Sequence, residues 1–475
     1  MLSFGSLMIT FSLVLMGSIT WLGYLFSKRK MQDSDSYFTA GRDISTAFMT
    51  ATFIAYAVGT GLIFSPGEMA YLEGLTAMIG YGLAISLSYI VFLPVSGRIK
   101  ELIPEGNTIG EYARVRYGKI MYIVVLFVSI VYMFCLLAAN LIGAGIAFNY
   151  IGHVPLYIGV LVIGVPVIIY TSYGGLGAAI FTNGLQAILI TPMLFITALL
   201  AFRNSGGTVA IYNGIQEHAP DFLKVFHPTG LEFALMIIIA VSAAELLNQA
   251  LWQRVYSAKD IRVVKKGLVS ASLMTFPMTI VAASFGLMAV AYNIELPHPS
   301  IATALMADNL LPPWASMIFM MIIVLAATST ASDALAGFSS IASLDIIKSF
   351  MPNLAPEKAV LVGRISTVVF GVGAMLVAFK APSILFLLLT ADLVAAAAVI
   401  PVVAGLFSPN ISGNAAALGT ILGILIGLPL FLNNQHLLSF VTAIIVSSAV
   451  IFVYAKISPA RFDFNKLKEH IRAVD

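Results

Sequence analysis

The sequence predicts an all-α polytopic membrane protein of about thirteen transmembrane helices, and three observations carry that prediction. Of the 475 residues, 60% are hydrophobic and only 10% are charged, against about 25% charged in a soluble domain. Apolar runs of the roughly 20 residues that cross a bilayer recur from end to end. Lys and Arg fall into alternate intervals between those runs, as orientation in a membrane requires. No polar segment is long enough to hold a separate enzymatic domain.

The spans cover about residues 4–26, 47–66, 75–95, 120–148, 156–173, 180–202, 231–251, 268–292, 314–336, 360–379, 383–407, 415–432 and 437–455. The first lacks the basic segment of a secretory signal peptide and reads as a retained helix. With the N-terminus outside, the inner loops carry Lys28, Arg29, Lys30 and Arg42, then Arg98, Lys100, Arg114, Arg116 and Lys119. Further inner loops carry Arg254, Lys259, Arg262, Lys265 and Lys266, then Lys348, Lys358 and Arg364. The tail adds Lys456, Arg461, Lys466, Lys468 and Arg472, and the outer loops hold only Arg203, Lys224 and Lys380. The expectation is a multi-pass protein of the cell membrane, N-terminus outside and C-terminus cytoplasmic. The single cysteine, Cys135, lies in an apolar run and reads as a small buried hydrophobe.

Two spans carry irregular points. The second holds AVGTG near its middle and ends at SPGE; the seventh holds VSAAELLNQ. Discontinuous helices in corresponding positions of two halves point to a central site. Glycine that merely lets helices pack closely is the competing reading.

Catalytic motifs are missing from the sequence. The six histidines lack metal-ligand spacing, and there is no Walker-A loop, HExxH or GxSxG set. The chain therefore reads as no enzyme and no ATP-driven pump. Its expected partners are a small polar solute, sodium and the lipid bilayer, with no nucleic acid, nucleotide or organic cofactor.

Four segments resemble the sodium:solute symporter family. They are SYFTAGR (36–42), YTSYGGLGAAIFTN (170–183), NQALWQRVYSAKD (248–260) and ATSTASDALAGFSSIASLDIIK (327–348), in order and at family-like spacing. The second resembles the family's cytoplasmic Gly-Gly turn between the fourth and fifth core helices. The resemblance implies the LeuT-type fold: one leading helix, a 5+5 inverted repeat, and additional C-terminal helices. The implied division is 1–46 (leading helix and loop), 47–205 and 206–410 (the two repeats), and 411–475 (two C-terminal helices and a basic tail).

The family's sodium site, carried over by position, falls on the hydroxyls of Ser329 and Thr330 and the backbone carbonyls of Ala55, Val58 and Ala326. Sodium, a hard cation, prefers oxygen ligands, although hydroxyls on membrane helices also bond back to the preceding turn. The implied substrate cavity takes in Tyr56, Gly59, Leu62, Val241, Glu245 and Asn248. Leu62, Val241 and Ala244 stand where sugar-transporting members are polar, so a sugar is not expected. The TSTAS and NQALWQR runs resemble the urea/polyamine branch somewhat more, but that branch's tryptophans are missing from the first core helix.

Charges inside the membrane need a partner or a water path. Glu245 reads as a cavity carboxylate, a proton carrier, or a brace for the break; Asn248 shares its face. Asp392 interrupts an apolar helix and reads as approaching the cavity or pairing with a polar group on a neighbouring helix, and Glu68 and Glu73 read as solvated residues at the outer mouth. Asn183 stands where the family often has an aspartate, and Asp333, one turn beyond Ser329, reads either as restoring that charge along the sodium exit path or as pairing with a basic residue or backbone amides to hold helices together. The expected function is secondary active transport, a sodium-coupled symport of a small polar organic solute by alternating access. The alternative is a proton-coupled or uncoupled carrier or channel for urea or a similar solute.

Overall fold

Bare backbone amides and carbonyls are not tolerated in hydrocarbon, so a chain this apolar must pair them within each segment. The computed structural model describes residues 4–30, 39–347, 351, 355–380 and 383–472, and helices dominate, with no strand among the described residues. The helices are α1 (Phe4–Lys30), α2 (Thr46–Ala57), α3 (Thr60–Leu102), α4 (Ile109–Tyr117), α5 (Lys119–Tyr150) and α6 (Leu156–Asn204). Then come α7 (Gly207–His218), α8 (Pro228–Leu246), α9 (Gln249–Ser257), α10 (Ile261–Ala291), α11 (Ala302–Leu310) and α12 (Pro313–Ser340), the last running on as π-helix to Ile347. The chain finishes with α13 (Pro356–Ala378), α14 (Ile384–Phe407), α15 (Gly413–Leu432), α16 (His436–Ile457) and α17 (Asn465–His470).

Twelve segments are long and apolar enough to cross a membrane. The thirteen expected from sequence are reconciled in the stretch 46–102. α3 has 43 residues, about 65 Å of helix against a hydrocarbon core of about 30 Å. It is two helices meeting at Gly74, whose φ of 69° and ψ of −152° lie outside helical space. A side chain there would also run into Phe222. The short apolar α2 and the first part of α3 together make one broken span; the rest of α3 makes the next. α6, 49 residues long, likewise reverses. His153, just before it, pairs with Asp308 at 3.6 Å, and Asn204 at its far end donates to Leu310 O at 2.7 Å. Both ends therefore meet one loop, so the chain reverses within α6, which holds two candidate spans, Leu156–Tyr173 and Leu176–Asn204.

The connections gather at two ends of the bundle in the alternation that the Lys/Arg pattern implies. At one end, Tyr71 donates to Ile294 O (3.0 Å) and Thr76 to Lys224 O (2.8 Å), beside the 153–308 and 204–310 contacts. At the other, Ile44 N donates to Ser257 O (3.3 Å), Arg42 to Gly106 O (3.0 Å) and Lys100 to Ala258 O (2.8 Å). Ser36, Tyr37, Phe38 and Lys348, used in the sequence reading, lie outside the described residues.

Arg116, read above as one more loop charge, is buried instead. Its guanidinium donates to the carbonyls of Gly405 (3.0 Å), Ser408 (2.7 Å) and Ile411 (3.0 Å), the orphan acceptors where α14 ends. It also stacks against Tyr117 and Phe462, 4.6 and 4.5 Å from the ring centroids. Arg116 thus locks α4, the end of α14 and the tail together. Arg116→Leu should cost on the order of 3 kcal/mol, since it strips donors from several buried acceptors. Arg116→Lys should cost less, but a point charge cannot reproduce the fork. Thermal unfolding in detergent checks both; equal stability of all three proteins would refute the lock.

Candidate substrate and cation site

α2 stops at Ala57 and α3 starts at Thr60. Between them Val58 (φ −87°, ψ 63°) and Gly59 (φ −85°, ψ −179°) leave helical geometry. A break of this kind orphans the last carbonyls of one helix and the first amides of the next. The Val58 amide closes on Ile54 O at 3.0 Å. The next two carbonyls are met from α12: Ser329 Oγ lies 3.1 Å from Ala55 O and Thr330 Oγ1 lies 3.3 Å from Tyr56 O. On the other side of the break, Asn140 of α5 accepts from Thr60 N at 2.9 Å. Its own amide is anchored to Leu136 O at 2.8 Å. Glycine is required at 59, because a Cβ would fall 2.6 Å from Thr330 Oγ1 and 2.8 Å from Asn140 Oδ1.

The second break separates α8 from α9 at Leu247 and Asn248. Asn248 caps α9, its Oδ1 accepting from Ala250 N at 2.9 Å. Its Nδ2 donates to Tyr56 Oη, to Glu245 Oε2 (3.2 Å) and to Tyr132 Oη (3.4 Å). Tyr56 in turn donates to Glu245 (3.0 and 3.2 Å). One hydrogen-bonded cluster therefore ties the first break to the second.

Between the breaks lies a cavity of about 80 Å³. Tyr56, Gly59, Leu62, Val241 and Glu245, all named from sequence, line it. Asn248 is fully buried and acts through the cluster, holding Tyr56 and Glu245. The sequence reading missed Asn140, Tyr81, Tyr89 and Tyr132, and left Asp392 between the cavity and a polar partner on a neighbouring helix; all five line the cavity. Asn140 had a signal: an amide in a run as apolar as CLLAANLIGA is costly unless it serves backbone or ligand.

Of the five positions matched to the sodium site, Ala55, Ser329 and Thr330 are brought together. The Val58 carbonyl belongs to the non-helical backbone of the break. Ala326 is buried within unbroken α12, so its carbonyl offers only the lone pair that the helix does not use. The opposed oxygens at 3.1 and 3.3 Å are spaced like neighbouring ligands of a hard cation with bonds of about 2.4 Å.

Asn183 and Asp333 also meet, Nδ2 to Oδ2 at 2.9 Å. The same oxygen receives Arg254 Nη2 at 2.6 Å, and both members of that ion pair are fully buried. Arg254, counted above among the loop charges, instead lies inside the bundle, its guanidinium 5.0 Å from the centroid of the Tyr56 ring. The charge on Asp333 is thereby balanced by a resident cation. Glu68 needs correction too: it is buried, only 7% exposed, rather than solvated at the mouth. Glu73 is half-buried and takes a hydrogen bond from Thr229.

Two broken helices facing each other across a buried cavity, in an all-helical bundle of membrane-spanning length, define a membrane transporter of the inverted-repeat, LeuT-type class. The family model for the sodium:solute symporter family matches residues 37–423. The chain belongs to that family. It is similar to a urea–proton symporter of Oryza sativa, 21% identical over 93% of this chain and 69% of that protein. It is also similar to a sodium/glucose cotransporter of Vibrio parahaemolyticus, 26% identical over 74% of this chain and 70% of that one. A probable urea active transporter of Schizosaccharomyces pombe is 22% identical, the match spanning 74% of this chain and 57% of that protein. Among solved structures, a sodium-coupled sialic acid symporter in a substrate-bound outward-open state shares the fold at a TM-score of 0.79. It is 17% identical, covering 96% of this chain and 99% of that one.

Breaking a buried ion pair from one side leaves an uncompensated charge, so Asp333→Asn should cost about 3–5 kcal/mol. Adding Asn183→Asp returns a carboxylate to the neighbouring side chain and should recover part of that loss. Unfolding of the single and double variants in detergent tests this; no recovery in the double variant would show that Arg254 cannot be served from position 183.

Proposed function

We propose that this chain is a sodium-coupled symporter that moves a small polar organic solute by alternating access. The observation that supports it best is the meeting of the α12 hydroxyls with the freed carbonyls of α2. Each hydroxyl now donates to a carbonyl; rotation of the O–H turns a lone pair inward, and both oxygens then face a cation. Sodium bound there draws α2 and α12 together. It shifts the conformational equilibrium only by its differential affinity for states in which these helices are close and apart. The family model and the sodium-coupled relatives agree with this reading. Its repeats would comprise 47–205 and 206–410, with 411–475 outside them, and the N-terminus would face out of the cell membrane.

The second reading is proton coupling, with urea or a similar solute as cargo. It is favoured by Glu245 and Asp392 on the cavity wall and by the urea–proton symporter among the relatives.

Proteoliposome uptake separates the two. Ser329→Ala with Thr330→Ala should raise the sodium concentration for half-maximal uptake by about tenfold or more, equivalent to about 1.4 kcal/mol or more. Unchanged sodium dependence removes these residues from the site, and uptake driven by a pH gradient alone favours the second reading. Orientation has its own test, made cleaner because Cys135 is buried. Cysteines placed at 206–226 should react with impermeant reagents from outside the cell, and cysteines at 258–266 should not; the reverse would invert the topology.

A further inference from the structure

The charges around the cavity do not balance. Glu245 and Asp392 both line it, on α8 and α14. Glu245 is held by the neutral groups of Tyr56 and Asn248. Asp392 is 6% exposed and has no hydrogen bond or ion pair among the described residues, while it lies within electrostatic reach of Glu245. No Lys, Arg or His lines the cavity among the described residues. The nearby guanidinium, Arg254, is engaged by Asp333 and by one side of the Tyr56 ring, and its charge also reaches Glu245. Two carboxylates thus face one cavity whose wall holds no basic side chain among the described residues, and Asp392 has no cation in reach, an arrangement that is costly at membrane depth. The remaining polar wall comes largely from Tyr56, Tyr81, Tyr89 and Tyr132, and the electron-rich faces of such rings favour cations.

We propose, building on the transporter reading above, that the cavity takes a small organic cation such as a guanidinium, with Asp392 as its principal counter-charge and Glu245 as the second. An anionic solute would meet two like charges. A neutral amide would bring no counter-charge. A planar guanidinium also presents N–H donors around its edge, the geometry that carboxylates accept best.

Guanidinium and urea share one planar frame and differ in charge, so the pair isolates the claim. The full chain, purified and reconstituted, is tested for uptake of radiolabelled guanidinium and radiolabelled urea under a sodium gradient, and for binding of each by calorimetry in detergent. The expected result is accumulation of guanidinium that a large excess of urea does not inhibit. Asp392→Asn should weaken guanidinium binding by about tenfold or more, as loss of a charged hydrogen-bond partner implies, and Asp392→Glu should restore part of it. Sodium-induced thermal stabilisation, measured on each variant, shows that it is folded. If urea accumulates while guanidinium neither binds nor accumulates, the cation proposal is overturned and the transporter reading stands. If guanidinium binds through Asp392 but does not accumulate, the site assignment holds and the transport reading fails. If neither compound binds or accumulates, both are wrong.

Discussion

Backbone that leaves helical geometry inside a bilayer must find partners in neighbouring segments, and that constraint organises this molecule. The first break sets free the carbonyls of Ala55 and Tyr56 and the amide of Thr60. Ser329 and Thr330 take the carbonyls and Asn140 takes the amide. The second break is held by Asn248, which caps the following helix and reaches across to Tyr56. Helices α5 and α12 are thereby tied to the first break, and the two breaks to each other. Each tie is a single hydrogen bond, worth about 0.5–1.5 kcal/mol net, so the breaks are held in place without being frozen. A site that must open alternately to two sides needs that balance.

Charge is distributed by the same rule. The Arg254–Asp333 pair is fully buried and internally neutral, and Arg116 has no carboxylate partner among the described residues but is engaged by carbonyls and aromatic faces. These groups are structural in their contacts. Asp392 differs from them, a buried carboxylate at the cavity that no protein group among the described residues satisfies by hydrogen bond or ion pair. Glu68 is also buried with an unpartnered oxygen, but it does not line the cavity. A carboxylate without a protein partner beside a cavity marks where a ligand contributes.

Much of this was legible in the sequence. Span number, the broken second and seventh spans, and the meeting of Ser329 and Thr330 with the first core helix all follow from hydropathy, glycine placement and the resemblance carried by four motifs. Helical spacing also puts Asp333 on the face of Ser329, but its contact with Asn183 depends on how two helices pack and was not legible. Arg254 and Arg116 were misread for one reason. Counting Lys and Arg by interval gives orientation, but a guanidinium long enough to reach back into the bundle scores the same as a solvated one. Glu68 was misread because its distance along the chain from the break does not show that the helix turns it inward. The tyrosine wall was hidden because its four members come from three helices, and no local pattern distinguishes a tyrosine lining a cavity from one in the core.

The reading of the first break as the coupling site is most directly tested by hydrogen–deuterium exchange of the full chain in detergent, in saturating sodium and in equimolar potassium. Sodium bound between α2 and α12 predicts slowed exchange in peptides covering 55–62 and 326–333 together, with α16 unchanged as an internal reference. Identical exchange in the two salts, or protection confined to segments away from both peptides, would contradict the account.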